Sequence, residues 1–232
     1  MEASRYPDGV VERVMQRRGR VHAFERLEPG CTALVVVDMQ NAFLGKDGAG
    51  DIPAAHAIVP TINRLARAVR EKGGHVVWVV STYGPDAADY WSTLFDHVLG
   101  PEYGQRFRDG LTEGAQGHAI WEELEVGPGE PVVSKSRFGG FIGSGGRLER
   151  TLRDLSVDTV LVTGTVTNIC CESTARESAM LDFKTVIVSD ANGGRSEEED
   201  TRTYATFLTA FGDVMSADEV IARLGGEAEE ID

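Results

Sequence analysis

Three side chains in this sequence could together attack a carbonyl: the carboxylate Asp38, the amine Lys135 and the thiol Cys170. Each stands where an apolar, β-branched run gives out. The runs are Ala33–Asp38 (ALVVVD), Pro131–Lys135 (PVVSK), and Thr159–Thr163, which precedes the loop Gly164-Thr165-Val166-Thr167-Asn168. Such runs read as buried strands. Cleaving an amide-like bond needs a nucleophile, a proton carrier for the leaving nitrogen, and donors for the oxyanion. A free thiol ionises near pH ~8.5, so it needs help at neutrality. Asp38, if desolvated, can take the Cys170 proton and hand it to the leaving amine, while Lys135 supplies charge to hold a thiolate. Attack by Cys170 would give a thioester or thiocarbamate that water then hydrolyses.

Each residue also has a plainer role. Free cysteine is among the most buried residue types, and Asp38 with Lys135 could be a structural ion pair. The elements that must position them favour convergence. In an open parallel α/β sheet every strand ends along one edge, and ligands bind there. Past the loop, Cys171–Leu181 is rich in helix formers, and Thr167 or Asn168 can cap that helix. Cys170 then falls in or just before the first turn, where free N–H groups and the helix dipole lower a thiol's pKa.

The pieces V-V-D-M-Q-N-A-F, V-V-S-K-S-R-F and G-T-V-T-N-I-C-C-E-S-T-A-R occur in one order between Cys31 and Leu224. Together they resemble the isochorismatase-like cysteine hydrolases. The T-N-I-C-C-E-S-T and K-S-R-F-G-G-F segments most resemble the ureidoacrylate and N-carbamoyl amidohydrolase branch. The resemblance implies an Asp38–Lys135–Cys170 triad and an oxyanion hole of the Val166 and Cys170 N–H groups. It also implies a cis Thr165–Val166 peptide, a mostly parallel six-stranded sheet with helices on both faces, and a dimer or tetramer. Departures are Cys171, where many relatives carry valine, and an aromatic-rich segment after the second strand.

With 232 residues, 41% of them hydrophobic, the chain is long enough for one substantial core. No run reaches the roughly 18 apolar residues of a membrane span, and the N-terminus lacks a signal peptide's apolar centre. A net charge of −14 argues against nucleic acid and anionic membrane as partners. Three cysteines, two adjacent, fit free thiols in a reducing compartment, and a cytoplasmic location is expected. The five histidines are scattered. The resemblance's nicotinamidase branch carries an Asp-x-His…His metal site after the second strand, where this chain reads STYGPDAADY. No metal or cofactor is therefore expected, and the partner is a small-molecule substrate.

Residues 1–30 form an N-terminal extension that either packs along the body or a neighbouring subunit or stays solvated. The hydrolase domain spans 31–224, and 225–232 is an acidic, frayed tail. Ala54–Lys72 reads as a helix with Ile58, Ile62, Leu65 and Val69 on one face, stopped by Gly73-Gly74. His75–Val80 is strand two. Ser81–Glu130 is an irregular excursion of about 50 residues, and long excursions from a strand end commonly build binding sites. Tyr83 is its expected substrate contact, and its other aromatics are read as local packing. Phe43, Phe138, Phe141 and Thr167 complete the expected binding residues. The glycines from 139 to 146 lack the phosphate-loop pattern and, flanking Phe138 and Phe141, read as a flexible pocket wall. Leu148–Leu155 is a helix. Thr185–Ser189 is strand five, ended by Asp190, which is expected to cap the next turn. Capping boxes at Ser196-x-x-Glu199 and Ser216-x-x-Glu219 start two helices, with a short strand at Val214-Met215 between them.

The leading function is a metal-independent cysteine amidohydrolase acting on a small amide, ureido or carbamoyl compound. A vinyl-ether hydrolase of isochorismatase type would keep activity without the thiol. A redox role for the Cys170–Cys171 pair is disfavoured by the strained ring that adjacent cysteines form.

Overall fold

The computed structural model describes residues 6–45, 50, 52–84 and 90–226. Six strands form its single sheet: β1 (Thr32–Val37), β2 (His75–Ser81), β3 (Val132–Lys135), β4 (Thr159–Thr165), β5 (Lys184–Gly193) and β6 (Asp213–Met215). Their spatial order is β3-β2-β1-β4-β5-β6, with every neighbouring pair parallel. The chain winds outward from β1 in one direction and then from β4 in the other, so the order reverses between those two strands. Clefts at such a reversal are where open α/β sheets bind ligands.

Helices cover both faces, which explains why the central strands read as continuous apolar runs. Along β1 the side chains alternate, Leu34 and Val36 entering one core while Ala33, Val35 and Val37 enter the other. The first core is covered by α3 (Pro53–Glu71), whose Ile58, Ile62, Leu65 and Val69 are all buried, and by α9 (Ala217–Arg223). The second lies under α6 (Arg147–Asp154), α7 (Glu172–Met180) and α8 (Glu197–Ala210). Across α8 lies α1 (Val10–Arg18), with Val10 and Val14 buried. Arg18 pairs at 2.9 Å with Asp213, whose carboxylate also accepts the Ala23 and Phe24 N–H groups. From Tyr6 onward the N-terminal segment therefore packs along the body. The expected tail lies outside the described residues from 227 on. Among the described residues no helix is long and apolar enough to cross a membrane.

Three local expectations change. Strand five runs four residues past Ser189, because a register shift between Val162 and Gly164 lets it resume pairing at Asn192 and Gly193. Asn192 Nδ2 donates to the Val162 and Val188 carbonyls, bonding them across the irregularity. Asp190 consequently sits within β5, and its carboxylate accepts the Ala217 N–H at the start of α9. At Ser216 the capping box is complete, whereas at Ser196 the described contact is the hydroxyl accepting the Glu199 N–H. Finally, a π-type turn, Thr167–Cys171, precedes α7, and neither Thr167 nor Asn168 caps it; Val166 occupies that place without a side-chain bond. The Thr167 side chain is buried toward Asp200 of α8 instead.

Candidate active site

Asp38 follows β1 directly with φ 54°, a left-handed turn that Asp tolerates better than most residues. Its N–H still bonds the Val79 carbonyl at 2.8 Å, so the turn is anchored to β2 while the carboxylate leaves the strand direction. Lys135 ends β3, two strands away. Its ammonium forms an ion pair with Asp38 Oδ2 at 2.8 Å and donates to Ser81 Oγ at 2.9 Å and to the Arg137 carbonyl at 3.1 Å. Two hydrogen bonds and an ion pair surround the ammonium, which is what a cation with a fully buried side chain requires.

The third member arrives with β4. Gly164 has φ 118°, and a Cβ there would lie 2.0 Å from the Val37 carbonyl oxygen. Only glycine lets β4 pass this close to the end of β1. The Thr165–Val166 peptide is cis, as the family resemblance implies. The π-type turn then brings the Cys170 thiol against both the Asp38 carboxylate and the Lys135 ammonium. Asp38, Lys135 and Cys170 thus meet at the switch point.

Burial pushes the Cys170 thiol well above its usual range; Lys135 pulls it down, but Asp38 pushes it further up. The expected lowering at a helix start is therefore reversed, because desolvation beside a carboxylate outweighs the neighbouring cation. Lys135 behaves oppositely. Burial alone would lower its pKa, but Asp38, Cys170 and Tyr83 raise it overall, so it stays charged. Tyr83 is pushed up to about 12, chiefly by burial, and is a neutral phenol. The resting site is a neutral thiol beside a charged lysine.

Cys170 opens into a cavity of about 100 Å³. Phe43, Tyr83, Phe138 and Val166 line it, as does Ser81. Phe141 and Thr167 do not. Phe141 turns into the opposite core and packs on Phe183, with ring centroids 5.8 Å apart. The glycines after Phe138 are packed rather than loose: Cβ atoms on Gly140 or Gly143 would crowd Leu148, Thr174 and Lys135. Only Phe138 of that segment reaches the cavity, braced by Trp91 at 4.8 Å.

Sequence reasoning missed Leu94, Leu99, Tyr103 and Phe107 from the excursion, together with Ile169 and Arg195. Leu94 lies in a π-type turn, Thr93–Val98, with Leu99 just beyond it; Tyr103 and Phe107 lie on α4 (Pro101–Gly110), one helical turn apart. Phe107 contacts both Phe43 and Tyr83, with centroids 6.0 Å apart in each pair. Trp121 instead packs on His56. The expected end of strand five at Ser189 gives no reason to single out Arg195; the strand extends four residues further, to Gly193, and delivers Arg195 to the functional edge. The side chain is exposed and has no hydrogen bond or ion pair to another described residue.

A doubly wound α/β sheet that sets a thiol at a cavity, with a buried carboxylate and amine beside it, is the frame of a three-layer α/β hydrolase. A family model described as an isochorismatase domain matches residues 32–219. The chain is 32% identical over 233 aligned residues to a ureidoacrylate amidohydrolase of Methylorubrum extorquens, covering 88% of this chain and 92% of that relative. A cysteine hydrolase structure from Pseudomonas syringae pv. phaseolicola superposes with a TM-score of 0.76 at 30% identity, covering 85% of this chain and 93% of that one. The N-carbamoylsarcosine amidase of Thermoplasma acidophilum gives a TM-score of 0.65 at 25% identity, covering 81% and 96%. The chain belongs to the isochorismatase family, and it is a hydrolase.

Proposed function

We propose that this hydrolase is a metal-independent cysteine amidohydrolase that cleaves a C–N bond of a small ureido- or carbamoyl-substituted acid. The observation that carries the reading is the Cys170 thiol, which lines the cavity and lies against the buried Asp38–Lys135 pair. Asp38 takes the thiol proton as the sulfur attacks the carbonyl. Lys135 keeps its charge throughout and offsets the negative charge gathering there. The Val166 and Cys170 N–H groups receive the oxyanion. As the C–N bond breaks, Asp38 delivers the proton to the leaving nitrogen, and water then hydrolyses the acyl-enzyme, restoring the thiol. Because the resting thiol is held neutral, it becomes a nucleophile only as its proton moves to Asp38.

The cavity supports the substrate class. Its volume of about 100 Å³ is roughly that of three water molecules, which suits a carbamoyl head rather than a peptide. Aromatic and aliphatic side chains surround that head, and the Arg195 guanidinium stands ready for a carboxylate. Two of the similar proteins are named for ureidoacrylate and N-carbamoylsarcosine.

The test is ammonia release from a panel of small amides, ureido acids and carbamoyl amino acids, in the presence of chelator, by wild type and Cys170→Ala. The expected result is chelator-resistant release that is lost in Cys170→Ala. Activity retained without the thiol, or confined to vinyl ethers, would overturn the proposal.

A further inference from the structure

The nucleophile's helix is tied to the segment that follows the lysine strand, and neither catalytic side chain makes the tie. Thr174, one turn beyond Cys170 on α7, donates its hydroxyl proton to the Cys170 carbonyl at 2.7 Å. The Thr174 hydroxyl oxygen in turn accepts the Gly140 N–H at 3.0 Å. One turn further on, Glu177 Oε2 accepts the N–H groups of Phe141 at 2.9 Å and Ile142 at 3.1 Å. Gly140–Gly143 is the single helical turn α5. The far end of that turn returns to the lysine strand, because the Gly143 carbonyl accepts the Ser136 N–H at 2.9 Å. Lys135 itself donates to the carbonyl of Arg137 in the same strap.

Gly139 shows how closely the carboxylate is held. Its φ of −72° and ψ of 140° are open to any residue, so the backbone does not demand glycine. A Cβ there would nevertheless lie 1.9 Å from Glu177 Oε1. The glycine makes room for the glutamate.

We propose that Glu177 and Thr174 are positioning residues for the hydrolysis, clamping α7 to the 136–143 strap and so fixing Cys170 relative to Lys135 and Phe138. The clamp rests on the reading of Cys170 as nucleophile. Its loss need not unfold the protein, since Ile142 is 72% exposed and water can replace the carboxylate at its N–H.

The test is a double-mutant cycle between Gly139→Ala and Glu177→Ala, with Glu177→Gln as the conservative variant, assayed well below each variant's Tm. The readouts are kcat and KM, and the rate at which iodoacetamide alkylates Cys170, followed by fragment-ion mass spectrometry. A misplacement of order 1 Å can cost about 100-fold in rate. Glu177→Ala and Gly139→Ala are each expected to lower kcat about 10- to 100-fold and to change the alkylation rate, with KM within about 3-fold. Gly139→Ala in the Glu177→Ala background should add less than about 2-fold, because the clash is gone. Glu177→Gln, which keeps an acceptor oxygen, should stay within about 3-fold of wild type.

Wild-type kcat and alkylation rate in folded Glu177→Ala would reduce Glu177 to a structural residue and overturn the proposal. Equal damage by Gly139→Ala in both backgrounds would do the same, as would a Glu177→Gln variant as poor as the alanine. Failure of the nucleophile reading is seen separately, as activity surviving in Cys170→Ala; the alkylation rates, and the coupling between Gly139 and Glu177 read from them, need no turnover.

Discussion

Asp38, Lys135 and Cys170 come from three strand ends and are held by short polar contacts in a buried floor, whereas Leu94, Leu99, Tyr103 and Phe107 come from one excursion and meet the cavity through ring and methyl surfaces. The floor is tied to the sheet, so its geometry follows from strand register. The wall is tied mainly to itself, through contacts such as Tyr83 on Phe95 at 5.1 Å and Tyr103 stacked on Phe107. On the proposed reading, chemistry is placed on strand ends fixed by the sheet and selection on the excursion that covers them. Floor changes should act on kcat and wall changes on KM; a variant that crosses this line breaks the comparison.

The largest effect is expected at Cys170. Cys170→Ala should lower turnover about 10³-fold or more, while a substrate still raises Tm, showing that the wall binds without the nucleophile. Lys135→Met comes next. It leaves Asp38 without its ion-pair partner in the interior, so urea unfolding should show a loss of about 3–5 kcal/mol alongside lost activity. Wild-type stability in that variant would mean that the pair is not held as described. Arg195→Gln should raise KM for an anionic ureido acid about 10-fold and leave KM for a neutral amide unchanged. An equal change for both substrates would remove Arg195 from recognition. Phe107→Ala removes the ring bridging Phe43 and Tyr83 and should raise KM about 3- to 10-fold, with kcat nearly unaffected.

The smallest effect is alkaline. Burial raises the Cys170 and Cys171 thiols above their ordinary 9.0 and the Tyr83 phenol above its ordinary 10.0. Above pH about 9 the unfolded chain releases thiol protons that the folded chain keeps, so stability is complete below that pH and falls as pH rises. Each group contributes a slope of up to about 1.4 kcal/mol per pH unit. Urea midpoints from pH 7 to pH 10 should fall at the alkaline end, and less steeply in Cys170→Ala. A flat profile would mean that the floor is open to water.

Much of the floor was legible because its signals are local. Runs such as ALVVVD and PVVSK announce buried parallel strands, and a strand's last residue falls at the ligand edge whatever the strand order. The helix face at Ile58, Ile62, Leu65 and Val69 was equally plain, since it needs only a 3.6-residue period. Phe141 shows where such reasoning stops. Two residues separated by three positions in a glycine-rich segment looked equivalent, yet the turn α5 sends Phe138 to the cavity and Phe141 to the opposite core. Arg195 was hidden because Asp190-Ala191-Asn192-Gly193 carries turn residues. Only pairing with β4, supported by Asn192, keeps that stretch in the sheet.

By itself the sequence determined the parallel α/β class, the three chemical groups and the edge on which they fall, because period, β-branching and strand termination are properties of short segments. The tertiary structure alone decided the order β3-β2-β1-β4-β5-β6, which puts the reversal between the Asp38 and Cys170 strands. It decided which aromatics face Cys170 and that the thiol rests neutral. Those outcomes depend on packing between residues far apart in the chain and on desolvation, which is set only once the layers have closed over the site.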